Sequence, residues 1–157
     1  MAAALRQKDR RTPPLALIGA FGRYVRMTDV DPPGAVLIVE DEPIIRMVAA
    51  YGLADDGLVT YEAADAAEAL TVLAQHPEIA VLFTDINMPG EMDGLGLATR
   101  VFQLRPDTEF IVTSGRERLR DATLPDHGTF LPKLYRISEL VGLVEEKLRA
   151  YGSAKAV

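Results

Sequence analysis

The chain has 157 residues, of which 48% are hydrophobic and 25% are charged, a composition typical of one globular domain with a single core. It contains no cysteine, so a disulfide framework and a thiolate metal site are both excluded. The formal net charge of −6 argues against nucleic-acid binding, for which a basic face is expected.

The N-terminal segment differs in charge from the remainder of the chain. Residues 1–34 hold six basic and three acidic side chains, whereas the rest holds 11 basic and 20 acidic ones. Two proline pairs interrupt any helix, so residues 1–33 are predicted to form a flexible extension. Two alternatives stay open, namely a translation start at Met27 and an apolar helix within 15–26 that docks on the domain or on a partner. No apolar run approaches about 20 residues, so no membrane insertion is expected.

Residues 35–150 alternate between two patterns. Short runs rich in β-branched and aromatic residues predict five buried strands, which in chain order are 36–39, 58–61, 80–83, 110–112 and 129–131. Between and after these strands, apolar residues at helical spacing predict helices at 43–53, 64–75, 95–104, 116–122 and 138–150. Pro43 suits the first turn of a helix, and Ser138 is predicted to cap the last helix.

This alternation predicts the fold class. Strands that are apolar on both faces and separated by helices indicate a doubly wound α/β domain, with a five-stranded parallel sheet and helices on both faces. We expect the domain to span 34–151 and to be followed by a short tail at 152–157. Functional groups in such sheets gather at the carboxyl ends of the strands.

Polar side chains follow four of the five predicted strands. Glu40 and Asp41 follow the first strand, Asp85 follows the third, Thr113 ends the fourth and Lys133 follows the fifth. The second strand brings nothing distinctive to this edge. Three carboxylates at one edge repel one another unless a cation lies among them, and oxygen ligands of this kind suit Mg²⁺. The sequence therefore predicts a Mg²⁺ site at this edge, which the backbone carbonyl of a residue just after Asp85 would complete.

The same residues suit phosphoryl transfer to a carboxylate. This reaction needs little covalent help from a protein, but it needs positioning and neutralisation of the charge on the transferred group. Lys133 can pair with Asp85 or with phosphoryl oxygens, and Thr113 offers a hydroxyl donor to those oxygens. Aspartate is a known nucleophile in such chemistry, and Asp85 is the candidate here.

Over residues 35–150 the sequence resembles the bacterial response-regulator receiver family, especially its single-domain, chemotaxis-regulator-like members. The resemblance rests on the acidic pair after the first strand, the phosphorylation-site motif, the switch threonine, and the switch aromatic with its lysine, which are residues 37–42, 83–89 with 92–94, 112–115 and 130–133. It implies a flavodoxin-like strand order 2-1-3-4-5 and a cytoplasmic signalling phosphoprotein of a two-component system rather than a dedicated turnover enzyme.

Family roles carry over by position. The resemblance implies Asp85 as phosphoacceptor, Glu40, Asp41, Asp85 and the backbone carbonyl of Asn87 as Mg²⁺ ligands, Lys133 as the phosphate-binding lysine, and Thr113 and Phe130 as switch residues. The partners it implies are a histidine kinase or histidine phosphotransfer protein and a downstream protein target. We expect a stand-alone receiver that signals by protein contact or acts as a phosphate shuttle or sink.

The sequence departs from the family pattern after the lysine. Leu134 stands where the family usually has a proline, and because only proline makes a cis bond inexpensive, the Lys133–Leu134 peptide is predicted to be trans. The helix at 116–122 is short and predicted to be mobile. These features keep open an alternative function, a receiver-like interaction module that works without phosphorylation.

Two further interpretations are disfavoured by particular residues. A metal-dependent phosphatase of the aspartyl type would need a second acid two residues after the nucleophile, where this chain has Asn87. His76 and His127 lie in predicted loops without a nearby acid or cysteine pattern, so we expect surface residues rather than phosphohistidines.

Overall fold

The computed structural model describes residues 34–115 and 124–156. Its five strands are β1 (Ala35–Val39), β2 (Thr60–Ala63), β3 (Ile79–Asp85), β4 (Glu109–Ser114) and β5 (Gly128–Pro132). The helices within the described residues are α1 (Pro43–Asp55), α2 (Ala66–Gln75), α3 (Gly94–Leu104) and α4 (Ile137–Lys155). The predicted extension at 1–33 and the predicted helix at 116–122 lie outside the described residues.

The strands form one parallel sheet in the order β2-β1-β3-β4-β5. This confirms the predicted α/β fold and its strand order. The three inner strands, β1, β3 and β4, are buried at every position, and β3 lies at the centre of the sheet between the other two. Because all strands run in the same direction, their carboxyl ends meet at one edge, where the predicted functional residues lie.

Each face of the sheet has its own core. Side chains alternate across a strand, so Leu37 of β1 packs with α2 and α3, while Ile38 packs on the opposite face with α1 and α4. Both residues are fully buried, as are Leu82 and Val81 of β3, which face the same two cores. Burial on both faces explains why the strands read as continuous apolar runs.

The prediction of β2 at 58–61 was wrong by two residues. The Leu58 N–H donates to the Leu53 carbonyl and the Gly57 N–H donates to the Ala54 carbonyl, so these residues close the C-terminal end of α1. Gly57 has φ of 85°, a conformation that glycine adopts without strain. Leu58 is buried by packing rather than by pairing as a strand residue, and the strand therefore begins later.

Both predicted ends of the last helix need correction. The Arg136 N–H donates to the carboxylate of Glu139 at 2.6 Å, so the helix begins at Ile137 and the predicted cap Ser138 lies inside its first turn. At the other end, α4 continues to Lys155 through most of the predicted tail. Tyr151 explains the extension because it is buried against the core on the α1 and α4 face.

A buried ion pair joins α4 to the sheet at the edge remote from the candidate site. Lys147 Nζ lies 2.9 Å from Glu109 Oε2 and also donates to the His127 carbonyl, and both side chains are buried. Glu109 begins β4 and His127 directly precedes β5, so one lysine connects three elements. Removing one partner of such a pair leaves an uncompensated buried charge.

Replacing Lys147 is therefore expected to destabilise the fold strongly. Lys147→Met should lower the free energy of unfolding by about 3 kcal/mol, measured by urea denaturation, because Glu109 loses its counter-charge. The double variant Lys147→Met with Glu109→Gln should recover much of this loss. Lys155→Met, at an exposed position of the same helix, is the matched control and should cost only the weak contact of this ammonium with the Tyr151 ring. Equal stability of Lys147→Met and Lys155→Met would contradict the assignment.

No helix in the described parts of the chain combines the length and apolarity that crossing a membrane requires.

Candidate functional site

The register of the sheet brings the predicted site residues together. Val39 pairs with Thr84, so Glu40 and Asp85, each one residue further along, emerge side by side from the two central strands. Asp85 itself pairs with Thr113 on the next strand. Glu40, Asp85 and Thr113 are all buried, with relative exposures of 3%, 5% and 1%, so the site lies in a recess of the edge rather than on its surface.

Lys133 bridges the two buried carboxylates. Its Nζ lies 2.7 Å from Asp85 Oδ2 and 3.2 Å from Glu40 Oε2. The Lys133 backbone N–H donates to the Ser114 carbonyl at 3.1 Å, which fixes the start of this side chain at the end of β4. Charge-assisted hydrogen bonds of this kind are stronger than neutral ones, and burial strengthens them further. The structure thus confirms the predicted pairing of Lys133 with Asp85.

The protonation equilibria of the site reflect this burial. Burial raises the pKa of Glu40, and the nearby Asp85 charge adds to this, while the Glu42 N–H and the Lys133 charge act in the opposite direction. Burial alone would lower the pKa of Lys133, but its hydrogen bond to Asp85 and the charge of Glu40 outweigh burial and raise that pKa. Lys133 therefore remains an ammonium at neutral pH and holds two carboxylates with one positive charge.

Three carboxylates converge as the sequence predicted. Glu40, Asp41 and Asp85 each offer an oxygen, and these oxygens lie within 4.8 Å of one another. Glu40 and Asp85 are buried and Asp41 is partly exposed. With Lys133 as the cation that bonds to this group, three carboxylates outnumber one ammonium. An all-oxygen donor set with excess negative charge fits a hard divalent cation such as Mg²⁺.

Close packing of the chain behind Asp85 fixes its position. A Cβ added to Gly94 would lie 1.8 Å from the Asp85 carbonyl oxygen, so only glycine fits at the start of α3. The Gly94 N–H donates to the Ile86 carbonyl at 2.9 Å, and Asp93 caps the helix by accepting from the Gly96 N–H at 2.8 Å. The helix start therefore supports the backbone that carries the nucleophile candidate.

The remaining predicted residues lie around Asp85. The Asn87 N–H makes a long contact of 3.4 Å to Asp85 Oδ1, and the Asn87 side chain is exposed. Thr113 Oγ1 is buried and makes no hydrogen bond to any described residue. Phe130, half-buried, packs against the core on the α2 and α3 face. The Mg²⁺ role of Asn87 and the switch roles of Thr113 and Phe130 stay predictions.

The predicted trans peptide after Lys133 was wrong, because the Lys133–Leu134 bond is cis although no proline follows. The prediction rested on local preference alone. The position of Lys133 is set by tertiary contacts instead, namely its backbone bond to Ser114 and its ammonium bonds to Asp85 and Glu40. Leu134 points into solvent with its side chain fully exposed.

Sequence reasoning missed two residues at the end of β2 and the start of α1. Arg46 Nη1 donates to the Glu40 carbonyl at 2.6 Å, and Arg46 Nε lies 3.4 Å from Glu62 Oε2. Burial raises the pKa of Glu62, partly offset by the Arg46 charge. The second strand therefore does bring a charged side chain, Glu62, to this edge. Arg46 lies one helical turn into α1, but nothing local in the sequence indicates that it meets Glu62 of β2.

Tyr135 is a third residue that the sequence did not single out. It is half-buried two residues after Lys133, and its ring packs edge-on against Phe83, with centroids 5.7 Å apart. Burial raises the pKa of Tyr135, and the charge of Glu40 adds to this. Tyr135 thus places one aromatic ring near the acidic cluster.

The two histidines lie away from this edge. His127 is exposed, as predicted, and His76 is partly exposed. The expectation that neither would have an acidic neighbour was wrong, because His76 Nδ1 lies 3.2 Å from Glu78 Oε1 and His127 Nδ1 lies 3.9 Å from Glu109 Oε1. The sequence pattern did not reveal either contact. Pro77 separates His76 from Glu78, and Glu109 lies far from His127 along the chain.

Comparison with known proteins identifies the family of this chain. The family described as response regulator receiver domain matches residues 36–145. The chain therefore belongs to the response regulator receiver domain family, whose members act in two-component systems and are generally not dedicated enzymes.

Individual relatives are similar over most of the chain. The sensor kinase CckA of Brucella abortus is 35% identical over 127 residues, covering 78% of this chain and 13% of the relative. The transcriptional regulator NtrC of Escherichia coli is 38% identical over 123 residues, covering 75% and 25%. A receiver protein structure from Sinorhizobium medicae has a TM-score of 0.68 at 25% identity, covering 75% of this chain and 96% of that one. The chain thus spans a quarter or less of these two curated relatives.

The close contact at Gly94 generates a first prediction for the site. Gly94→Ala should displace the Asp85 backbone and lower the free energy of unfolding by about 2 kcal/mol or more, because a Cβ overlaps a backbone oxygen. Gly142→Ala is the matched control, since a Cβ there meets nothing within 4 Å and lies on α4. That variant should be neutral or slightly more stable. Equal thermal midpoints for the two variants would refute the close-packing argument.

The raised pKa of Glu40 generates a second prediction, for metal-free protein. Since the folded state raises this pKa above its ordinary 4.5, folding favours the protonated form, and the Glu40 contribution to stability falls as pH rises through the raised value. Glu40→Gln should therefore be more stable than the unsubstituted chain at about pH 7, and the difference should shrink towards about pH 4.

Urea denaturation at several pH values measures this difference. Glu146→Gln, which neutralises an exposed carboxylate on α4, controls for the loss of one charge. A stability gain for Glu40→Gln that grows as the pH falls would contradict the sign of the shift.

Proposed function

We propose that this chain is a response regulator receiver that accepts a phosphoryl group on Asp85 from a histidine kinase or histidine phosphotransfer protein. The observation that carries the proposal is the ammonium of Lys133, held 2.7 Å from Asp85 and 3.2 Å from Glu40 within an acidic recess. A buried aspartate beside a fixed cation and two further acids suits phosphoryl acceptance better than any structural role.

The transfer step uses an oxygen of Asp85. Lys133 engages Oδ2, and among the described residues Oδ1 has only the long contact to the Asn87 N–H, so Oδ1 is the oxygen available for attack. The new P–O bond forms as the P–N bond of the donor phosphohistidine breaks, and the imidazole of the donor takes up a proton. Lys133 then exchanges its bond to Glu40 for a phosphoryl oxygen and neutralises charge on the transferred group.

Mg²⁺ is the cofactor we propose for this site. Glu40, Asp41, Asp85 and the backbone carbonyl of Asn87 would hold it, and when bound it neutralises negative charge on the phosphoryl oxygens. The chain itself contributes the recess, the position of Asp85 and the ammonium of Lys133. Without a divalent cation, the excess of carboxylates repels an incoming phosphoryl group.

Phosphorylation would be read by Thr113 and Phe130. The buried Thr113 hydroxyl pairs with no described residue, which costs about 1–3 kcal/mol and favours a phosphoryl oxygen as its partner. Thr113 lies beside Asp85 in the sheet, and Phe130 follows on β5 next to Val112. A new charge of about −1.5 to −2 at Asp85 would draw the hydroxyl towards it and vacate space for the Phe130 ring.

Output then passes to other proteins. We propose a downstream protein target, or transfer of the phosphoryl group onward as a shuttle or sink, in the cytoplasm and without binding to nucleic acid. The net charge of −6 supports a protein partner over a nucleic acid. The alternative of a phosphorylation-independent module was motivated by Leu134, but Lys133 reaches Asp85 despite that residue.

Phosphoryl uptake tests the proposal directly. Incubation of the chain with Mg²⁺ and a small phosphodonor such as a phosphoramidate should add the mass of one phosphoryl group, measured by intact-protein mass spectrometry. Asp85→Asn should take up none, and Lys133→Met should slow uptake by about 100-fold because the transferred charge loses its cation.

Lys155→Met is the matched lysine control and should react like the unsubstituted chain. Uptake by Asp85→Asn at the unsubstituted rate, or no uptake by any folded form of the chain, would reject the proposal. Equal binding of a partner to the unsubstituted chain and to Asp85→Ala would instead support the phosphorylation-independent module.

A further inference from the structure

Arg46 connects three elements at the edge of the acidic recess. It lies on α1, donates from Nη1 to the carbonyl of Glu40, which directly follows β1, and pairs through Nε with Glu62 of β2. Its backbone N–H also donates to the Glu42 carbonyl at 3.0 Å, which places Arg46 in the first turn of the helix. The guanidinium thus links the turn that carries Glu40 and Asp41 to the neighbouring strand β2.

The acceptor at Glu40 is its backbone rather than its side chain. Arg46 therefore leaves both carboxylate oxygens of Glu40 for other partners, namely the Glu42 N–H at 3.1 Å and Lys133 at 3.2 Å. The backbone of residues 40–42 is held from one side by Arg46 and from the other by the Glu40 N–H, which donates to the Ala63 carbonyl at 3.2 Å. These bonds determine where the Glu40 and Asp41 side chains point.

The ion pair with Glu62 orients the Arg46 side chain. The Arg46 and Glu62 side chains are 19% and 28% exposed, so their ion pair is partly shielded from water. A guanidinium has donors in a rigid plane and reaches two acceptors at once, whereas an ammonium is a point charge on a flexible stem. Lysine at position 46 would keep the charge but could not make both contacts with the same geometry.

We propose that Arg46, oriented by Glu62, is a positioning residue that holds the turn at residues 40–42 in the conformation that binds Mg²⁺. This inference rests on the proposed function, since it assigns Arg46 and Glu62 a part in the same site. Groups that orient metal ligands from outside the coordination sphere typically change metal affinity by about 10-fold or more when they are replaced.

Calorimetric titration of the full chain with Mg²⁺ measures this effect without any phosphoryl donor. Arg46→Lys should raise the Kd for Mg²⁺ about 10-fold, and Glu62→Gln should raise it less, because Arg46 then keeps its bond to Glu40 but loses its orientation. In the metal-free chain, hydrogen exchange at the Glu42 amide should also be faster in both variants, since the turn is no longer held.

The matched control is Arg105→Lys. Arg105 is another half-buried arginine, and it donates to the His76 carbonyl at 3.2 Å and to the Leu73 carbonyl, away from the acidic recess. This variant should lose stability without any change in the Kd for Mg²⁺. All titrations are made well below the lowest thermal midpoint, so that unfolding does not imitate weak binding.

The outcomes separate this inference from the proposed function. An unchanged Kd for Mg²⁺ in both Arg46→Lys and Glu62→Gln would overturn the positioning role, whether or not Asp85 accepts a phosphoryl group. If Arg46→Lys does not fold, Glu62→Gln alone decides, because it keeps residue 46. Failure of the unsubstituted chain to take up a phosphoryl group, while its Mg²⁺ affinity falls in the variants as expected, would reject the proposed function and leave the positioning role intact.

Discussion

The contact between Lys133 and the two buried carboxylates is the constraint around which the candidate site is built. One ammonium holds Asp85 and Glu40, which emerge from neighbouring strands at the centre of the sheet. Ionised groups at such low exposure are costly unless they are paired. The parallel sheet brings these charges together, and its packing on both faces keeps them from separating.

The supporting contacts follow from this constraint. Gly94 lets α3 approach the backbone of Asp85, and Arg46 holds the turn that carries Glu40. Neither residue adds a group that would touch a phosphoryl oxygen, yet both determine where the acids point. Family membership and the acidic cluster are both consistent with a phosphoacceptor site. The proposed chemistry depends on how rigidly the three carboxylates are held.

The fold was largely predictable because its signals are local. Apolar runs separated by amphipathic segments predicted the parallel sheet, and the rule that strand ends share one edge was enough to predict that Asp85, Glu40 and Lys133 lie together. The boundary of β2 was missed because Leu58 is as apolar as a strand residue, although it closes α1. Burial alone does not distinguish these two roles.

Contacts between distant residues could not be predicted in this way. The Arg46–Glu62 and Lys147–Glu109 pairs join residues on different elements, and composition gives no indication of which charges meet. The cis bond after Lys133 lies in the same category, because tertiary contacts rather than local preference position that residue. The assignment of Thr113 and Phe130 as switch residues concerns a second state of the chain and rests on the proposed function.

The most direct test of the central claim is to locate the phosphoryl group on the chain. After incubation with Mg²⁺ and a small phosphodonor, borohydride reduces an aspartyl phosphate to homoserine, which peptide mass spectrometry assigns to one position. The account predicts this conversion at residue 85 alone. Conversion at another acid of the recess, such as Asp41, or none in a folded chain that binds Mg²⁺, would contradict it.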